Sequence, residues 1–168
     1  MGAVGLMRGG AVRMAWYKLA AGEPFGDLFF CVEDGRLVEA TMAEVAGAAP
    51  APAAWRQALR DHLRGVRPFP LEMDLSAVPP FHRAVMQAAM EIPCGRTATY
   101  GALAARAGRP GAARAAGSAM ARNPFVLLVP CHRVVPAAGG IGNYGAGEGS
   151  RLKARLLAWE KEVTLGVD

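Results

Sequence analysis

Two side chains suited to nucleophilic chemistry are adjacent in the C-terminal half of the chain, where Cys131 is followed directly by His132. They come straight after an apolar run, residues 125–129, and Arg133 follows them. The run predicts a buried strand that delivers the thiol. Because the thiolate is the nucleophilic form of cysteine and nearby positive charge lowers its pKa, we expect Cys131 to be an activated nucleophile.

The composition is typical of a globular protein, since 52% of the 168 residues are hydrophobic and 20% are charged. No apolar run is long enough to span a membrane, and residues 1–21 lack the continuous apolar segment of a secretory signal, so we expect a cytoplasmic protein. The three cysteines are an odd, sparse set, which argues against a disulfide framework. A zinc site is an alternative use of the polar side chains, although the spacing is not that of a zinc finger; it would be built from Cys31, His62, His82 and Cys94.

Charge is distributed unevenly between the two halves of the chain. Residues 1–80 carry 8 basic and 9 acidic side chains, a net charge of −1, whereas residues 81–168 carry 11 basic and 5 acidic ones, a net charge of +6. No acidic residue occurs between Glu91 and Glu148. A segment of one sign beside a nucleophile indicates a polyanionic partner, most simply nucleic acid.

The N-terminal part is predicted to contain strands and one helix. Residues 28–32 and 36–40 flank Asp34-Gly35, a strong signal for a two-residue hairpin. Residues 14–20 are a further candidate strand, and leucines and a tryptophan spaced by four predict a helix over 53–64. Residues 75–80 end in two prolines and are the expected linker.

The C-terminal part is predicted to be mainly helical. Short helices over 99–106, capped by Thr99, and from Pro110 to Arg122 are joined by a glycine-containing turn, which is a helix-turn-helix pattern. The second of these helices is almost free of bulk, and Arg114, Ser118 and Arg122 share one of its faces. We favour binding of this helix in a nucleic-acid groove; close packing against a core neighbour is the alternative.

A glycine-rich loop and a final helix complete the C-terminal part. Residues 137–149 include six glycines and Tyr144, and such a loop can border a pocket. A helix is predicted over 150–163, and Glu160 lies at the edge of its apolar stripe. A carboxylate at that position needs a partner, for which a histidine proton would serve, or must face solvent.

Six sequence blocks in order carry a family resemblance. They are Ile92–Gly95 with Tyr100-Gly101, Arg114–Gly117, Asn123-Pro124, Pro130–Val134, Gly142–Tyr144 and Leu156–Glu160. Together they resemble the methylated-DNA–protein-cysteine methyltransferases, also known as O6-alkylguanine-DNA alkyltransferases. The resemblance covers roughly residues 78–162.

The resemblance implies an α/β (α+β) protein of two domains. A small N-terminal ribonuclease-H-like α/β domain would span residues 1–77. A mainly helical, winged-helix-like DNA-binding domain with the helix-turn-helix would span residues 78–168 and carry the active-site cysteine.

The resemblance also implies the reaction: a methyl or alkyl group would pass from O6-alkylguanine to Cys131, and O4-alkylthymine is an open additional substrate. The transfer would be irreversible, with one event per molecule. Proton transfer would follow a relay from Cys131 through a water to His132 and Glu160, and Asn123 would order the turn and the water. Tyr100 would donate a hydrogen bond to the guanine. Without the family match, we would read Tyr100 as a packed aromatic residue at the helix cap.

The implied partner is double-stranded DNA that contains O6-alkylguanine, bound in the minor groove by a monomer, with the target nucleotide flipped out. Arg114 would enter the base stack in its place. We expect no metal and no cofactor. The residues expected to contact DNA are Arg114, Ala115, Gly117, Ser118, Arg122 and Arg133, and those expected to form the alkyl pocket are Pro130, Val134, Tyr144 and Gly145.

Three other functions are compatible with parts of the sequence. An alkyltransferase-like protein would bind the lesion without chemistry, but such relatives lack the acceptor cysteine. A helix-turn-helix regulator would bind specific sequences and would use Cys131 only structurally. A cysteine hydrolase built on Cys131, His132 and Glu160 would turn over repeatedly and would have no use for the arginine-rich helix.

Overall fold

The computed structural model describes residues 13–166. Residues 1–12, on which much of the expectation about a secretory signal depends, lie outside this range. The elements in chain order are β1 Met14–Ala20, β2 Asp27–Glu33, β3 Arg36–Thr41, β4 Ala49–Pro50, α1 Ala54–Arg64, α2 Pro80–Met90, β5 Ala98–Thr99, α3 Tyr100–Arg106, α4 Ala113–Ala121, a 3-10 helical turn Cys131–Arg133, β6 Val134–Val135 and α5 Ser150–Leu165. Within residues 13–166, every helix is too short or too polar to cross a bilayer.

The N-terminal half forms a four-stranded sheet in the order β3-β2-β1-β4. β1, β2 and β3 are antiparallel neighbours, and β4 runs parallel to β1. The predicted hairpin is confirmed, because Asp34 and Gly35 connect β2 to β3 with φ angles of 47° and 82°. Positive φ at both central residues is what a two-residue type I′ hairpin turn requires.

The predicted helix-turn-helix segment contains two packed helices, as expected, but the second begins later than predicted. The Thr99 hydroxyl oxygen accepts a hydrogen bond from the Ala102 amide at 3.1 Å and so caps α3. α4 begins at Ala113 rather than at Pro110. Gly111, with a φ of 86°, cannot belong to a right-handed helix, so the segment from Pro110 forms a turn instead.

The predicted strand over residues 125–129 is wrong. Leu127 has a φ of 68°, and the Val129 amide donates to the carbonyl of Phe125 at 2.9 Å, so the chain turns back on itself. Phe125 forms an isolated bridge to Ala40 of β3, in which the Val126 amide donates to the carbonyl of Ala40 at 2.9 Å. The apolar run is fully packed but irregular, and Cys131 begins a helical turn instead of ending a strand.

One continuous hydrophobic core joins the two halves of the described chain. It includes Phe30 and Leu59 from the N-terminal half together with Leu103 and Leu156 from the C-terminal half. Hydrogen bonds also cross between the halves, such as the one from the Ala40 amide to the carbonyl of Pro124 at 2.7 Å. The division into domains at residues 77 and 78 therefore remains a prediction.

Candidate active site

Cys131 lies at the start of the 3-10 turn, with only 9% of its surface exposed. Asn123 fixes this turn from the side. Its Nδ2 atom donates to Cys131 Sγ at 3.4 Å and to the carbonyl of Val129 at 3.1 Å, while its Oδ1 atom accepts from the Phe125 amide at 2.9 Å. One side-chain amide thus satisfies backbone groups of the irregular segment and contacts the sulfur.

A buried polar network lies behind the thiol. His132 and Glu160 are completely buried, and His132 Nε2 donates to Glu160 Oε1 at 2.7 Å. Arg133 Nε donates to the same oxygen at 2.9 Å, and the Gly95 amide donates to Glu160 Oε2 at 3.0 Å. The predicted histidine partner of Glu160 is present, and the alternative of a solvent-exposed Glu160 is excluded.

Arg133 is part of this network and does not reach the surface. It is 5% exposed, and its two terminal nitrogens donate to the carbonyls of Ile92 and Leu63, each at 2.6 Å. The expectation that Arg133 contacts DNA is therefore wrong. A nearly fully buried guanidinium whose three nitrogens are each bonded to a buried acceptor is not accessible to a phosphate.

The environment sets the protonation states of the central groups. Burial raises the pKa of the Cys131 thiol, although the Asn123 amide, the Tyr144 hydroxyl and the Lys153 ammonium oppose that shift. The expected lowering of the Cys131 pKa is thus not found, because desolvation outweighs the nearby positive charge.

The pKa values of the two network partners shift so that the histidine is neutral and the glutamate is charged. Burial lowers the pKa of His132, and the charges of Arg133 and Lys153 add to that shift; together they outweigh the opposing effect of Glu160. Burial by itself would raise the pKa of Glu160, but the hydrogen bonds and charges of His132 and Arg133 outweigh it and the net shift is downward. A carboxylate only accepts hydrogen bonds, so the His132 proton is on Nε2 and Nδ1 is the basic nitrogen.

His132 Nδ1 is buried and has no hydrogen-bond partner among the described protein atoms. An unsatisfied buried polar atom is unfavourable and marks a position where a further group or a proton can bind. This arrangement allows the neutral His132 imidazole to remove a proton through Nδ1, while the Glu160 carboxylate holds its other nitrogen, Nε2.

A cavity of about 800 Å³ borders the thiol. Of the predicted pocket residues, Tyr144 and Gly145 line this cavity together with Tyr100, Asn123 and Cys131 itself. The Tyr144 hydroxyl is buried near Cys131 and influences its pKa, but it makes no hydrogen bond of normal geometry to any described protein atom.

Two predicted pocket residues lie elsewhere. Pro130 lines a separate cavity of about 290 Å³, and Val134 is fully buried in β6. Their assignment to the alkyl pocket is corrected, because neither contributes to the wall around the sulfur.

The outer face of α4 presents the residues expected to contact DNA. Arg114, Ala115 and Ser118 are exposed, Arg122 follows directly after the helix, and the opposite face buries Ala116 and Ala119. Gly117 faces Tyr100, since a Cβ there would lie 3.8 Å from the tyrosine ring. The helix packs against the core with one face, as the alternative expected, and leaves an arginine-bearing face exposed. Binding of that exposed face in a nucleic-acid groove stays a prediction.

Sequence reasoning missed Lys153, which is completely buried in α5. Its ammonium donates to the carbonyl of Val134 at 2.6 Å, and burial lowers its pKa while the charge of Cys131 opposes that change. The signal was present, because Lys153 precedes Glu160 by seven residues and therefore shares its helix face. Met42, which lines the cavity from the N-terminal half, was also missed, and local sequence carries no signal for it.

The alternative zinc site is not supported. Across residues 13–166, no three His, Cys, Asp or Glu side chains cluster in a way that could hold a metal ion. His62 is instead bonded to backbone groups, with Nδ1 accepting from the Phe69 amide at 3.2 Å and Nε2 donating to the carbonyl of Leu128 at 2.8 Å.

Comparison with known proteins identifies relatives of both the sequence and the fold. The family profile of the 6-O-methylguanine DNA methyltransferase, DNA binding domain, matches residues 80–162. The methylated-DNA–protein-cysteine methyltransferase of Mycobacterium leprae is 45% identical over 97 residues, which cover 58% of this chain and 57% of that protein. The enzyme of the same name from Salmonella typhimurium is 53% identical over 68 residues, 40% of either chain. These matches span about half the length of the curated relatives.

Solved structures match over a larger share of the chain. The crystal structure of the Mycobacterium tuberculosis O6-methylguanine methyltransferase has a TM-score of 0.73 at 32% identity and covers 91% of this chain and 99% of its own. The Mycobacterium tuberculosis protein in complex with DNA has a TM-score of 0.71, also at 32% identity, over 88% of this chain and 93% of its own. The chain belongs to the 6-O-methylguanine DNA methyltransferase family.

Proposed function

We propose that this protein repairs DNA by transferring a methyl or alkyl group from O6-alkylguanine to its own Cys131, once per molecule. The observation that carries the proposal is the position of the Cys131 thiol, on the wall of a large cavity with the neutral His132 and the charged Glu160 buried behind it. Family membership is consistent with this chemistry, and the names of the relatives describe methyl transfer from methylated DNA or from O6-methylguanine for those proteins.

The first step is activation of the thiol. Because burial raises the pKa of Cys131, the resting sulfur is protonated and needs a base. His132 Nδ1 is the available base, and a water between it and Cys131 would carry the proton. Glu160 then stabilises the imidazolium that forms, as the acid does in Cys-His-acid centres.

The second step is the transfer itself. The thiolate attacks the alkyl carbon, a C–S bond forms, and the bond between that carbon and O6 breaks. The electron pair of the broken bond passes to the guanine, and Tyr100, which lines the cavity, would donate a hydrogen bond to it. The product thioether is a poor leaving group, so Cys131 is not regenerated.

The DNA-binding part of the proposal concerns α4. A base in duplex DNA cannot reach a sulfur inside a cavity, so the nucleotide must be flipped out. We infer that α4 lies in the minor groove with its exposed face, that Arg114 fills the space left in the stack, and that Ser118 and Arg122 contact the backbone. Binding of this kind depends on phosphate contacts and weakens with salt.

We extend the proposal to the organisation of the chain. The four-stranded sheet with α1 is the part proposed as ribonuclease-H-like, and α3, α4 and the short β5–β6 pair are the part proposed as winged-helix-like. A cytoplasmic monomer without a cofactor is the form in which we propose that it acts.

A non-catalytic lesion-binding protein is the second candidate, and the acceptor cysteine in an intact network argues against it. The deciding experiment mixes the protein with an oligonucleotide carrying O6-methylguanine and measures the intact protein mass. We expect one added methyl group, located on Cys131 by peptide mapping, and never more than one. Tight binding with unchanged mass would support the lesion-binding function instead, and repeated clearance of lesions by one molecule would support a hydrolase.

The matched variants are Cys131→Ala and Cys31→Ala. Cys31 is also buried but lies in β2 and does not line the cavity. We expect Cys131→Ala to bind the damaged oligonucleotide without gaining mass, while Cys31→Ala should still gain one methyl group.

A further inference from the structure

A segment of the N-terminal half forms one wall of the cavity that borders Cys131. The cavity is lined by three residues at and after the end of β3, namely Thr41, Met42 and Ala43. Its other lining residues belong to the C-terminal half. The wall is therefore incomplete without the N-terminal sheet. Of the three side chains, Met42 is the only one large enough to change the shape of the cavity substantially.

Met42 also contacts the glycine-rich loop on the other side of the cavity. A Cβ on Gly147 would lie 3.2 Å from Met42 Sδ, and a Cβ on Gly26 would lie 3.8 Å from Met42 Cε. The methionine is thus packed directly over the backbone of Gly147, next to Gly145, which lines the same cavity. Its thioether side chain lies beside the backbone of these two glycines and packs against the hydrophobic core.

The cavity would have to hold the flipped base together with its O6 substituent. About 800 Å³ falls within the range of pockets that enclose drug-sized ligands. Met is unbranched and adaptable, so it can fill space around a small ligand and yield to a larger one. A flexible wall of this kind controls how much substituent fits beside the sulfur.

We propose that Met42 is a specificity-determining residue that sets the size of the O6 substituent this protein accepts. The inference rests on the proposed transfer to Cys131 and assigns the limit on substituent size to one residue of the N-terminal half. Shortening Met42 enlarges the cavity and favours bulky groups. Replacing it by a rigid aromatic side chain narrows the cavity and favours methyl.

The test measures second-order transfer rates to the protein from two oligonucleotides, one with O6-methylguanine and one with O6-benzylguanine. The ratio of the benzyl rate to the methyl rate is used, because partial unfolding lowers both rates equally. We expect the ratio to rise about tenfold in Met42→Ala and to fall about tenfold in Met42→Phe, the size of effect that one or two methylene groups have in an apolar pocket.

Met73→Ala is the matched control. Met73 is also half-buried and packs on the core from the N-terminal half, but it does not line the cavity. Its removal should leave the ratio unchanged even if stability falls. Should Met42→Ala fold poorly, Met42→Phe alone still tests the direction of the effect.

The outcomes separate the two proposals. An unchanged ratio in both Met42 variants, with the wild type active on methyl, would overturn the role of Met42 and leave the transfer function intact. A wild type that accepts no alkyl group from either oligonucleotide would overturn the transfer function and with it this inference.

Discussion

Replacing Glu160 by Gln tests the buried network behind the thiol. The side chain is completely buried and accepts from His132 Nε2 at 2.7 Å, Arg133 Nε at 2.9 Å and the Gly95 amide at 3.0 Å. Gln has nearly the same shape, so packing is preserved. The substitution removes the negative charge and leaves the Arg133 guanidinium buried without a counter-charge.

The size of the effect follows from burial. Breaking a buried ion pair by removing one partner costs about 3–5 kcal/mol, because the remaining charge stays in a poorly solvating environment. The carbonyls of Leu63 and Ile92 still accept from Arg133, which favours the lower end, about 3 kcal/mol. For a chain of this size, such a loss lowers the melting temperature by about 6–12 °C.

The assay is urea unfolding followed by circular dichroism, with Glu162→Gln as the control. Glu162 is exposed on the same helix, and its substitution should change the unfolding free energy by less than about 0.5 kcal/mol. The double variant Glu160→Gln with Arg133→Met removes both charges and should be clearly more stable than the sum of the single losses predicts. A Glu160→Gln loss below about 1 kcal/mol, or strict additivity in the double variant, would refute the reasoning.

Three further predictions concern charge. Lys153→Met removes the buried ammonium that lowers the pKa of Cys131, so transfer should slow about tenfold with an unchanged fold by circular dichroism; an equal rate would contradict this role. Arg114→Ala should slow transfer, because the space left by the flipped nucleotide is no longer filled, whereas Arg122→Ala should reduce the salt slope of DNA binding by about 1, measured by fluorescence anisotropy; an unaltered slope in Arg122→Ala would place Arg122 away from phosphate. Burial lowers the pKa of both His62 and His132 below 6.5. As the pH drops through 6.5, the unfolded chain therefore takes up protons before the folded one, and the free energy of unfolding should fall. Equal urea midpoints above and below pH 6.5 would contradict this.

Sequence alone predicted the elements whose signals are local. The Asp34-Gly35 turn and the Thr99 cap are each determined by residues that contact one another across two or three positions. The partnership of Glu160 with His132 required the family resemblance, because the residues are 28 positions apart. Spacing along the helix indicated only that Glu160 needed some partner.

The errors arose where distant groups decide the local structure. Residues 125–129 have the composition of a buried strand. The Asn123 side chain, however, donates hydrogen bonds to the carbonyls of Phe125 and Val129, and these bonds hold the segment in a bend. Arg133 looked like a phosphate ligand because arginine is usually exposed. Its burial depends on the carbonyl of Leu63 at the end of α1, a contact across 70 positions that no local pattern encodes.

The raised pKa of Cys131 fits the single transfer per molecule that we propose. A thiolate at rest would react with any electrophile or oxidant that entered the cavity, and each such event would consume the molecule. Burial keeps the sulfur protonated, while Asn123, Tyr144 and Lys153 supply groups that stabilise the thiolate when a base removes the proton. The neutral His132 provides that base without exposing a permanent charge to the cavity. Burial thus keeps the thiol unreactive, while other groups activate it. The nucleophile becomes reactive only when its proton can pass to the buried His132 imidazole.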